Sequence, residues 1–112
     1  MSAITTHVLD LSSGRPAANV AVKLERRDDS GWRAVADRAT DADGRVRDFL
    51  AAGALEAGVW RLTFATGAYF AARGQQTFLP EASVTFEVFD AAMHHHVPLL
   101  VSPFGFSTYR GS

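Results

Sequence analysis

The sequence predicts an all-β fold, an antiparallel sandwich or barrel of about eight strands with one short helix. Three observations carry that prediction. Short segments alternate apolar and polar residues at period two, which puts successive side chains on opposite faces of a strand. Turn-forming residues separate these segments at intervals of about 8–12 residues, as in sheets built from short antiparallel strands. A single stretch, "GAYFAARGQ" at 67–75, lacks the alternation and has the alanine content of a helix.

The first strand is "AITTHVLDL" at 3–11, and "SSGRPAA" at 12–18 is its exit loop. "NVAVKLERR" at 19–27 places Val20, Val22 and Leu24 on one face. The turn "DDSG" at 28–31 leads into a third strand, "WRAVADRAT", at 32–40. "DADGR" at 41–45 has the Asx and glycine chemistry of a loop and opens onto a short strand, "RVRDF", at 45–49. After "LAAGALEAG", the segment "VWRLTFAT" at 59–66 aligns Trp60, Leu62 and Phe64. Beyond the helix and Pro80, "VTFEVFD" at 84–90 aligns Val84, Phe86 and Val88. "HHHVPLLVS" at 94–102 and "GFSTYRGS" at 105–112 complete the set, with Pro103 between them. Proline cannot donate to a strand ladder, so Pro98 predicts an edge or a bulge there.

Length and composition bound the function. The 112 residues are expected to form one domain, 1–112. Hydrophobic residues make up 47% of them, with eight Phe and two Trp, so the material for a core is present. A domain this small buries a modest fraction of its surface, which makes further burial through oligomerisation plausible. A net charge of −1 without long runs of one sign leaves no electrostatic footprint for nucleic acid or an anionic membrane. The absence of cysteine excludes a disulfide framework, a thiol nucleophile and Cys-ligated zinc. No segment reads as a signal peptide or a membrane span, and a cytoplasmic location is expected.

Three of the four histidines are consecutive, in "MHHHVPLL". Period two turns His94 and His96 to one face, about 6.5–7 Å apart, and His95 to the other. A His-x-His pair suits zinc, which needs three or four ligands, and His7 would be the remaining imidazole. The alternatives are solvated or core-satisfied histidines; a tag remnant is disfavoured by the internal position. His7 shares its face with Thr5 and Leu9. At the other end "STYRGS" stops inside a candidate strand, with Arg110 and Ser112 on one face and Tyr109 on the opposite one. Most chains fray at the end, so this pattern suggests a terminus that is packed or used.

Four motifs in order resemble the transthyretin-like proteins. They are "THVLD" with Gly14 and Pro16 following, "TDADGR" at 40–45, "HxHVPLLVSP" at 94–103 and "STYRGS" at 107–112. Together they span the chain, and the terminal Tyr-Arg-Gly-Ser is similar to the enzyme branch, the 5-hydroxyisourate hydrolases, and not to the hormone carrier. Where the family usually has Tyr, between the two histidines, this chain has His95, expected to alter packing or an interface.

The resemblance implies a transthyretin-like β-sandwich and a catalytic set of His7, Arg45, His96, Arg110 and Ser112, with Tyr109 joining His7 and Arg45 in substrate binding. It implies a hydrolase that opens the six-membered ring of 5-hydroxyisourate on the route from urate to allantoin. No cofactor and no metal are required. The expected assembly is a homotetramer, a dimer of dimers, with Phe104, Phe106 and Leu99 near edge strands that need covering. His94 is expected to be a structural neighbour. The rival readings are a small-ligand carrier using the same channel and a zinc hydrolase using His7, His94 and His96.

Overall fold

The computed structural model describes residues 3–112 as two packed β-sheets with one short helix. The strands are β1 (Ile4–Asp10), β2 (Arg15–Pro16), β3 (Ala21–Asp28), β4 (Gly31–Ala39), β5 (Arg45–Val46), β6 (Gly58–Phe64), β7 (Ala82–Val88), β8 (His95–Ser102) and β9 (Gly105–Thr108), and helix α1 is Thr66–Ala72. All eight predicted strands are present. The ninth, β2, lies in the predicted exit loop and is only a two-residue bridge to the end of β1. The last predicted strand is shorter than expected and ends at Thr108, and the strand after the "DADG" loop is only Arg45–Val46.

One sheet runs β2-β1-β8-β9, with β5 also paired to β1; the other runs β4-β3-β6-β7. Val22, Leu24, Trp60, Leu62, Phe64, Val97 and Leu99 are all buried in the core. Leu99, expected near an edge, is fully buried there, because the odd-numbered residues of β8 face inward. Tyr69 and Phe70 anchor α1, with ring centroids 5.0 Å apart in an edge-to-face contact. No helix among the described residues is long and apolar enough to cross a membrane.

Two features depart from a simple antiparallel reading. β1 and β8 pair in parallel, with Thr5 opposite His96 and His7 opposite Pro98. Pro98 therefore lies in a strand flanked on both sides, by β1 and by β9, and not at an edge. The alternation of hydrogen bonds explains how it is tolerated. His95 donates to Ala3 and Val101 accepts from Leu11 on the β1 side, whereas His96 accepts from Gly111 on the β9 side. Odd residues of β8 thus bond to β1 and even ones toward β9. The register that joins Leu100 to Ser107 would place Pro98 opposite Tyr109, and the ladder is interrupted there, resuming as the single bridge His96–Gly111.

Beneath β1, Asp10 is a buried carboxylate. It accepts from the Ser12 amide at 2.8 Å, the Ser12 hydroxyl at 2.6 Å and the Tyr69 hydroxyl at 2.8 Å. Burial by itself would raise its pKa, but hydrogen bonds from Ser12, Tyr69 and Ser13 outweigh that and hold it below the usual 3.8. Burial, and then the hydrogen bond to Asp10 and its charge, push the Tyr69 phenol up to about 12. A depressed carboxyl pKa adds stability that is full above the unfolded value and is lost as pH falls through the folded one. Asp10→Asn is expected to cost about 1–3 kcal/mol at pH 7, with the gap to wild type narrowing below pH 3.8. Urea unfolding at pH 7 and at acid pH tests this; an equal gap at both would assign the cost to packing.

Candidate active site

The outer face of the first sheet gathers the histidines. Thr5 and His7 project from β1, and His96 projects from β8 beside them. On the other edge of β1, β5 pairs antiparallel so that Arg45 stands opposite His7. One central strand thereby receives the second histidine from one side and the guanidinium from the other.

The "DADG" loop sets Arg45 in place. Asp41 Oδ1 accepts from the amides of Asp43 and Arg45, each at 2.9 Å, and its Oδ2 meets Arg47 Nη1 at 3.1 Å. Those amide bonds, led by Arg45, hold the Asp41 carboxyl below its usual range. Gly44 has φ +77°, and its carbonyl accepts from Val8 at 2.7 Å. A Cβ there would lie 2.5 Å from the Val8 oxygen, so only glycine lets the loop approach β1 this closely.

His94 and His96 share a partner. The Thr5 hydroxyl is 2.9 Å from Nε2 of His94 and 2.8 Å from Nδ1 of His96, and the two rings are nearly parallel with centroids 6.3 Å apart. His94, expected as a structural neighbour, is thus joined to His96 through Thr5. His95 faces inward as the period predicts, and it is buried with Nδ1 lacking a hydrogen-bond partner.

Both candidate bases are held neutral. Burial lowers the pKa of His96 below 6.5, and Arg45, His94 and His7 add to the effect. For His7, burial and then Arg45 lower it, against smaller raising effects from an Asp43 backbone hydrogen bond and the charges of Asp41 and Asp43.

A polar cavity of about 180 Å³ is lined by Thr5, Arg45, Arg47, His94, His96 and Ser112. Arg110 and Tyr109 line a neighbouring cavity of about 330 Å³ between β7 and the chain end, and His96 borders both. Strict alternation, which put Tyr109 and Arg110 on opposite faces and Arg110 with Ser112, fails here because β9 has ended. The terminal segment is tied back by the Gly111 amide, which donates to the His96 carbonyl at 2.8 Å, while Arg110 Nη2 lies 3.5 Å from the His94 carbonyl. The sequence reading missed Thr5 as the shared hydroxyl, Arg47 in the lining and the reason for Gly111. A Cβ on Gly111 would overlap the His96 ring. Among the described residues, no three His, Cys, Asp or Glu side chains are grouped as a metal centre.

Comparison with known proteins bears on this site. The model of the HIUase/Transthyretin family matches residues 4–111. The chain belongs to that family. It is 48% identical to the 5-hydroxyisourate hydrolase of Caulobacter vibrioides over the whole of both chains. The structure of the Klebsiella pneumoniae 5-hydroxyisourate hydrolase matches with a TM-score of 0.85 at 40% identity, covering 97% of this chain and 92% of that one. Sea bream transthyretin, solved in complex with thyroxine, matches with a TM-score of 0.93 at 31% identity, covering 98% and 95%.

Two outcomes are expected for this family member. Gly111→Ala must displace the His96 ring and should reduce turnover by at least about tenfold while leaving the core intact; activity and a thermal melt together check it. In NMR titration His7 and His96 should both titrate below 6.5, and Arg45→Ala should raise both values. Unmoved values in that variant would separate Arg45 from the histidines.

Proposed function

We propose that this family member hydrolyses 5-hydroxyisourate, opening its six-membered ring to 2-oxo-4-hydroxy-4-carboxy-5-ureidoimidazoline in urate degradation. The observation that carries the reading is the convergence of two imidazoles and a guanidinium on one strand face, in a chain whose relatives are named hydrolases. Backbone likeness alone does not choose between hydrolase and carrier, since the transthyretin fold matches at least as well. The side chains and the sequence identity favour the hydrolase.

The chemistry requires an activated water, a stabilised oxyanion and a protonated leaving nitrogen. His7, its pKa lowered by burial and by Arg45, takes a proton from water as the water oxygen attacks the ring carbonyl. Arg45 offers a planar donor fork that stays charged, suited to the oxyanion that forms. Collapse breaks the C–N bond, and the imidazolium returns the proton to the amide nitrogen, leaving a carboxylic acid. His96, near enough to His7 to feel its charge and lining the polar cavity with Arg45, supplies the second proton transfer, a role typically worth about 10²–10⁴-fold. Arg110 and Tyr109 orient the substrate from the neighbouring cavity, and Ser112 holds the water or a ring nitrogen. The residues named by sequence motif thus have compatible roles, with no metal and no cofactor required.

A homotetramer, a dimer of dimers, is part of this reading. Phe89 and Phe104 are 80% and 74% exposed, and Phe78 and Tyr109 are also largely exposed. Exposed aromatics beside β7 and β9, one edge strand of each sheet, are surface that a folded chain normally covers.

Stopped-flow loss of freshly made 5-hydroxyisourate tests the function. Wild type should accelerate it, and His96→Asn, Arg45→Ala and deletion of 110–112 should each lose about 10²-fold or more while remaining folded. Full activity in the tail deletion would remove Arg110 and Ser112 from the site. An inactive wild type that binds an iodinated aromatic would favour the carrier, and activity lost on chelation and restored by zinc would favour the zinc hydrolase.

A further inference from the structure

A single hydroxyl lies between the two outward-facing histidines, and its proton count constrains both. Thr5 Oγ1 is within hydrogen-bond distance of Nε2 of His94 and Nδ1 of His96. A hydroxyl carries one proton, so it donates to one neutral ring and accepts from the other. We infer that Thr5 is a positioning residue that couples His94 to His96 and fixes which nitrogen of His96 carries hydrogen.

Two arrangements satisfy the geometry. When Thr5 donates to His94, it accepts from Nδ1–H of His96, and Nε2 of His96 presents a lone pair as a base. When Thr5 donates to Nδ1 of His96, it accepts from Nε2–H of His94, and Nε2 of His96 carries hydrogen as a donor. The exchange is one of tautomer, with no net gain or loss of protons. The state of His94, outside the reacting space, thereby decides what His96 can do inside it.

The surroundings hold this coupling. Thr5 is 5% exposed and lies opposite His96 in the parallel ladder, so its backbone is fixed relative to both rings. Its β-branched side chain has a restricted χ1, which limits where the hydroxyl can go. The Thr6 hydroxyl on the other face is committed to the Val97 carbonyl at 2.6 Å. The charged and titratable groups around His96 are His7 from β1, Arg45 and Arg47 from and after β5, Glu87 from β7, His94 and His95 beside it in sequence, and Tyr109 and Arg110 from the chain end. Among the described residues the Thr5 hydroxyl is the side-chain partner of Nδ1, at 2.8 Å, and it orders this ring.

The inference rests on the hydrolase reading only for its consequence, and the test separates the two. In ¹⁵N NMR of the full-length protein at neutral pH, wild-type His96 should hold mainly one tautomer. Thr5→Val removes the hydroxyl and should leave a mixture. His94→Phe frees the hydroxyl to donate to Nδ1 and should drive His96 to the form with hydrogen on Nε2. In the stopped-flow assay Thr5→Val should lower kcat about 10- to 100-fold with little change in KM and shift the acid limb of the pH profile. Thr5→Ser should restore most of that loss. Hydrogen held on Nδ1 of His96 in His94→Phe, wild-type kcat in Thr5→Val, or a Thr5→Ser as impaired as Thr5→Val would each overturn the inference. If Thr5→Val does not fold, the His94→Phe shifts decide. If wild type does not turn over the substrate, the hydrolase reading fails while the shifts, recorded without substrate, still decide on Thr5.

Discussion

The site depends on the parallel pairing of β1 with β8. That ladder sets Thr5 beside His96 and leaves the opposite edge of β1 free to take Arg45. Its register is not decided by the polar residues. The inward side chains Ile4, Thr6 and Val8 on one strand, and His95, Val97 and Leu99 on the other, are all buried. A slip of one residue would turn that whole set outward, forfeiting about 1.5–3 kcal/mol for each large aliphatic side chain. Core packing therefore fixes the relative position of the functional groups, and the outer face inherits a geometry that it does not have to stabilise by itself.

Electrostatics then acts on groups already placed. Charges of both signs surround His7, and the balance among them matters. Asp41 and Asp43 favour the imidazolium, yet burial and Arg45 outweigh them. Arg45 adds to burial in lowering both histidine pKa values, and in the proposed reaction its permanent charge would also face the oxyanion. Asp41 serves Arg45 in turn by accepting from its amide, a bond that holds the loop and keeps the carboxylate ionised. The same loop needs Gly44, since a side chain at that position would meet the Val8 carbonyl.

The sequence made the strands legible because their cores alternate cleanly, as with Val20, Val22 and Leu24 or Trp60, Leu62 and Phe64. It also assigned the faces of His94, His95 and His96, because period two holds through β8. Three things were out of its reach. Parallel pairing of the first and eighth strands is a long-range choice that no local pattern encodes. The role of Thr5 follows from that pairing: in sequence it is one more strand threonine, and only the register makes it a shared partner. The divergence of Tyr109, Arg110 and Ser112 was missed because alternation was carried past the end of β9.

That divergence traces to Pro98. A proline in a flanked strand removes one N–H from the ladder, a loss of about 1 kcal/mol at a typical pairing. Here the gap falls where Tyr109 would pair, and it releases the chain after Thr108. Freed from strand alternation, Tyr109 and Arg110 both reach the larger cavity instead of opposite faces. The chain then rejoins β8 at Gly111, where only a hydrogen in place of Cβ clears the His96 ring, and this return directs Ser112 to the smaller cavity. A missing backbone bond and a missing side chain, two residues apart in register, thus divide the chain end between the two sides of His96. An uninterrupted ladder would be the more stable sheet, but its alternation would send Tyr109 and Arg110 to opposite faces.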